Sequence, residues 1–141
     1  MPVAPVRPWP PIHRLHALFL AWPVALFPAA LIADIAYCNT AEMQWSNFAA
    51  WLIAGALLFG AIALLWAAID AWRFRRHPSG ARRTWLLLLL LAMSVAGLAN
   101  ALHHAGDGWV SVGTTGVLLS AFTSVLALAA GWLAWGRELP R

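Results

Sequence analysis

The chain has 141 residues, of which 62% are apolar and 10% charged, with a formal charge of +4 and one cysteine. A soluble domain carries roughly a quarter charged residues, a disordered tail needs low hydrophobicity and high charge, and a lone Cys38 has nothing to pair with inside the chain. Those classes are excluded, and an all-α polytopic membrane protein is what remains. The positive charge does not indicate nucleic acid, because the arginines stand between long uncharged apolar runs and not on a basic face.

The first eleven residues contain Pro2, Pro5, Pro8, Pro10 and Pro11, a density that forbids helix and favours an extended arm. Beyond it, the intervals between charged residues measure the spans. Arg14 to Asp34, Glu42 to Asp70, Arg83 to Asp107 and Asp107 to Arg137 each enclose enough uncharged chain to cross a hydrocarbon core of about 30 Å, which takes roughly 20 helical residues. Apolar residues fill whole helical circumferences in these intervals, unlike barrel strands or surface amphipathic helices. Four helices over about 15–37, 45–72, 84–104 and 110–135 are predicted, forming one bundle over 12–139. The run after Arg14 is longer than a signal-peptide core and no small-residue cleavage site follows, so the first helix is expected to be retained. Tyr37 ahead of Cys38 does not suit lipoprotein processing.

Every basic residue is arginine. Arg7 and Arg14 precede the first span, five lie in RFRRHPSGARR (73–83), and Arg137 and Arg141 follow the last. The positive-inside rule therefore puts both termini and the central loop in the cytoplasm of an inner membrane, with that loop touching anionic lipid. Trp9, Trp22, Trp45, Trp72, Trp85, Trp109 and Trp135 fall near span ends as interfacial anchors; Trp51, Trp66 and Trp132 sit deeper.

Polar residues within apolar spans are functional candidates by default. Pro23 and Pro28 interrupt the backbone donors of the first helix. His16 and Asp70 share the inner level, while Asp34, His103 and His104 share the outer one, about 27 Å away at helical rise. Each layer could hold a proton or orient a quinone headgroup or haem b, whereas no zinc ligand set is formed. Small residues recur every four positions at Ala63, Ala67 and Ala71, at Ala92, Ala96, Asn100 and His104, and at Gly116, Ser120 and Ser124, the pattern of close helix packing. Asn100 is expected to bond across helices.

These residues resemble the membrane-protein family known as domain of unknown function 2231. His16-Ala17, Trp22-Pro23 and Asp34 follow the order of that family's first helix, though its proline after the histidine is Ala17 here. Asp70 ahead of the arginine loop, and Gly131-Trp132 through Gly136-Arg137-Glu138-Leu139, match its second helix and its end. The histidine that many members carry early in the third helix is absent from 84–88, and His103 and His104 lie outside the family pattern. The resemblance implies the four-helix architecture and directs attention to His16 and Asp70; it supplies no reaction.

No nucleophile, phosphate-cradling loop or other catalytic motif is present, so an enzyme is not expected. The reading is an accessory or scaffold membrane protein packing with itself or with a membrane complex. The alternative is an electron-transfer or quinone/haem-handling subunit.

Overall fold

The computed structural model describes residues 13–77, 80–106 and 113–136. It has four α-helices, α1 (Arg14–Thr40), α2 (Met43–Arg73), α3 (Gly80–His104) and α4 (Thr114–Trp135), and no strand among the described residues. Each helix is long and apolar enough to cross a membrane. In hydrocarbon no water satisfies the backbone, so helices that close their own hydrogen bonds are the form these segments take. The predicted spans lie on these helices, with α3 beginning four residues before its predicted span at 84; positions 110–112 and the proline arm 1–11 lie outside the described residues.

The turn from α1 to α2 uses two residues. Ala41 takes a left-handed conformation (φ 55°) and donates its N–H to the Tyr37 carbonyl at 2.8 Å. The Glu42 N–H donates to Thr40 Oγ1 at 3.3 Å. So short a link forces α1 and α2 to be antiparallel neighbours. Around the bundle α1 packs on α2, α2 on α3, α3 on α4 and α4 on α1, a closed square in which diagonal helices meet through side chains alone. One end carries Arg14, the α2–α3 loop and Trp135, and is called the arginine end; the far end carries the α1–α2 turn, His104 and Thr114.

The core runs along the axis. Leu20 and Phe27 of α1, Ile53 of α2, and Leu90 and Met93 of α3 are its largest fully buried apolar side chains. Glycines let them cross. A Cβ on Gly97 would stand 2.8 Å from the Phe27 ring, so the missing side chain is what admits α1 toward α3 across the diagonal. Gly60 receives Met93 and the Pro23 ring in the same way, and α1 continues unbroken through Pro23 and Pro28. The stripes expected on α2 and α4 are buried, but that on α3 needs correction: Ala92 is exposed and Ala96 half-buried, and the inward face is Leu86, Leu90, Met93, Gly97 and Asn100. At 100° per residue a row of every fourth residue drifts by about 40° per step, so mixed three- and four-residue steps hold a face that steps of four leave.

Trp51, about two turns into α2, and Trp132, in the last turn of α4, point outward at 79% and 83% exposure and present indole to the surroundings of the bundle. Trp66 instead turns partly inward, its ring 5.0 Å from His13 and 6.0 Å from His16. Trp9 and Trp109 lie outside the described residues.

Candidate functional site

The inward face of α1 is apolar from Leu20 to Ala33 and ends in Asp34, whose side chain is fully buried. On α3, Asn100 and His104 are one turn apart and share a face; on α4, Ser120 lies one turn beyond Gly116, so its hydroxyl points inward. These four side chains meet near the far end. His104 Nε2 is 2.9 Å from Asp34 Oδ1, across the diagonal of the square. The Ser120 hydroxyl donates to Asp34 Oδ2, and Asn100 Nδ2 donates to Ser120 Oγ at 2.8 Å. His104 Nδ1 is 2.9 Å from the Asn100 carbonyl, and a carbonyl only accepts, so Nδ1 carries a hydrogen.

The bonds close a ring that starts and ends on Asn100, and donor logic fixes every hydrogen in it but one. Asn100 donates to Ser120, Ser120 donates to Asp34, and His104 donates to Asn100. Between Asp34 Oδ1 and His104 Nε2 there is room for a single proton. Bound to nitrogen it makes an imidazolium–carboxylate pair; bound to oxygen it makes a carboxylic acid donating to a neutral imidazole. Without it, two lone pairs would face each other at 2.9 Å in a medium where unmade polar contacts are costly. The cluster therefore binds one proton as part of its structure. Ser124 Oγ turns back to the Ser120 carbonyl at 2.6 Å and adds no member to the ring.

Two buried polar atoms beside this cluster have no hydrogen bond, Asn100 Oδ1 and His103 Nε2. The His103 and His104 rings meet edge to face at 6.1 Å.

At the arginine end His16 is fully buried. Neither ring nitrogen makes a hydrogen bond. Asp70 is held by Arg83, Nη1 to Oδ2 at 2.9 Å, and the Arg83 guanidinium lies 4.1 Å above the Phe74 ring. His16 and Asp70 thus occupy one level, with the carboxylate engaged by arginine. Arg82 donates from Nε to the Leu133 carbonyl at 3.0 Å and from Nη2 to the Leu133 and Gly136 carbonyls, satisfying acceptors that the end of α4 leaves open.

The structure brings Asp34 and His104 into direct contact, leaves His103 beside them, and places His16 and Asp70 apart from them at the opposite end. Gly116, Ser120, Ser124 and Asn100 are buried. Sequence reasoning does not assign Ser120 and Asn100 to the polar cluster. The available signal is their depth, since both lie within about two turns of the same helix ends as Asp34 and His104.

A family model described as "Predicted membrane protein (DUF2231)" matches residues 12–139. No curated protein and no solved structure matches the chain.

Proposed function

From the premise that the chain belongs to the DUF2231 family of predicted membrane proteins, we propose that it is an accessory component of the inner membrane whose working element is the proton held between Asp34 and His104. In this reading both termini and the arginine loop are cytoplasmic, the far end faces outward, and the bundle packs with itself or with a membrane complex. The observation that carries the proposal is the single unassigned hydrogen in an otherwise determined ring. Such a site passes its proton between carboxyl and imidazole within one hydrogen bond, exchange with outside needs a water to take its place, and Asn100 Oδ1, a buried acceptor without a donor, is where an entering water would dock.

The test is infrared difference spectroscopy of the protein in lipid while external pH is stepped. A carboxylic-acid C=O band that changes with pH, disappears in Asp34→Asn and shifts in His104→Gln is expected. A carboxylate band with an imidazolium signature in its place puts the proton on His104, and a spectrum in which neither signature responds to either substitution removes the proton-holding role.

One observation favours the electron-transfer alternative, and only in its quinone form. His16 offers buried ring nitrogens without hydrogen bonds beside the Trp66 indole, which suits a quinone carbonyl seeking a donor. A haem held by two histidines needs facing imidazoles at one depth: His13 and His16 lie on one helix, His77 sets its ring against Phe74 in the α2–α3 connection, and both His104 nitrogens are engaged, which leaves His103 without a facing histidine among the described residues. Extracting quinone from the same purified sample decides this: stoichiometric quinone lost in His16→Leu supports the alternative, and none ends it.

A further inference from the structure

Five arginines flank the α2–α3 connection, and the fold divides them. Arg82 is spent on the carbonyls at the end of α4 and Arg83 on Asp70. Arg73, Arg75 and Arg76 have no carboxylate partner among the described residues, where the acidic side chains are Asp70, already held by Arg83, Asp34 in the interior, and Glu42 at the opposite end. Those three arginines, with Trp72, line an open cleft of about 410 Å³, and the Arg75 guanidinium lies 6.0 Å over the Trp72 ring.

The cleft does not stand alone. Leu58, Ile62, Leu65, Ile69 and Trp72 of α2 are all exposed large apolar residues. Their alternating spacing of four and three residues puts them in one stripe along the helix. The stripe climbs the outer surface of the span and ends at the arginines. An anion that only needed charge would use the cleft and ignore the stripe. An amphiphile would use both, its acidic head in the cleft and its chain along Leu65 and Ile69.

We infer that Trp72, Arg73, Arg75 and Arg76 form a binding site for the phosphate head of an anionic phospholipid, with the exposed α2 stripe as the track for its acyl chain. Arginine suits this because its planar fork bonds two phosphate oxygens at once, which lysine does not do. Interfacial indole supports the head from the side, as tryptophan does at membrane boundaries. The inference is independent of the proton site, which sits at the other end of the bundle.

The experiment places the full-length protein in nanodiscs containing equal parts of phosphatidylcholine and phosphatidylglycerol with the same chains, and counts lipids retained on release by native mass spectrometry. The expected result is retention of phosphatidylglycerol over phosphatidylcholine by about tenfold or more, since each basic residue near such a surface is worth about a fivefold gain and the three arginines together give at most about a hundredfold. A triple variant, Arg73→Gln, Arg75→Gln and Arg76→Gln, is expected to lose that preference. Because removing charge could also disturb insertion, a second variant with lysine at the same three positions keeps the charge and is expected to retain only part of the preference. Arg14→Gln, at the same end but outside the cleft, should leave it unchanged. Equal retention of the two lipids by the native protein overturns the inference. So does full preference in either triple variant, which would indicate diffuse attraction, or displacement of the lipid by millimolar inorganic phosphate, which would show a phosphate site that ignores the chain.

Discussion

Asp34 sits in the bundle interior because both of its carboxyl oxygens are answered, Oδ2 by Ser120 and Oδ1 by His104. An asparagine there can keep both contacts, its oxygen accepting from Ser120 and its amide donating to a neutral His104. An alanine keeps neither and strands two buried polar groups, each of which costs about 1–3 kcal/mol. Asp34→Asn is therefore expected to lose less than about 1 kcal/mol and Asp34→Ala about 2 kcal/mol or more, the discount reflecting partners that polar groups also find in a membrane-inserted unfolded state. Reversible unfolding in mixed micelles measures both. Equal losses would mean that the carboxylate charge, and not the bond pattern, is what the site needs, placing the proton on His104.

That pairing marks the border of what the sequence discloses. Depth is legible, because residue count multiplied by helical rise places Asp34 with His104 and His16 with Asp70. Azimuth is not, because helices that are apolar nearly all round carry no stripe to say which face turns inward. For the same reason an expected row at Ala92 and Ala96 gives way to Leu90, Met93 and Gly97, and Ser120 and Asn100 read as packing residues until the helices are set beside one another. At the scale of the element, Gly97 is the position where α3 depends most on having no side chain. A Cβ there would meet Phe27 at 2.8 Å and Leu57 at 3.0 Å, both from packed core side chains. Gly97→Ala raises helix propensity by about 1 kcal/mol yet overpacks the core, which costs about 1–3 kcal/mol. The expected sum is a destabilised bundle that recovers when Phe27 is shortened to leucine in the double variant, measured by the same unfolding assay. A Gly97→Ala protein as stable as the original would show that Phe27 moves aside without cost and that the diagonal contact is loose.

For the whole molecule, the arginines do two jobs that bear on each other. Arg82 and Arg83 tie the start of α3 to the ends of α4 and α2, so the arginine end is clasped by the residues whose charge argues for a cytoplasmic side. The positive-inside rule counts all nine arginines of the chain at Arg7 and Arg14, within 73–83, and at Arg137 and Arg141, and none between Arg14 and Arg73 or between Arg83 and Arg137. The orientation this predicts is N-in and C-in, and reporter fusion is the test of it. An enzyme reporter that folds only outside the cytoplasm should be active when joined after Glu42 and silent when joined after Pro78, while a fluorescent reporter that matures only inside should show the reverse. Moving the charge should move the result: replacing Arg73, Arg75 and Arg76 by glutamine while adding three arginines beside Glu42 cuts the bias from nine against none to six against three and is expected to produce a mixed population. If the fusions instead report Glu42 inside and Pro78 outside in the native chain, the Asp34–His104 proton would face the cytoplasm, and the exchange argued for it would have to run with that compartment.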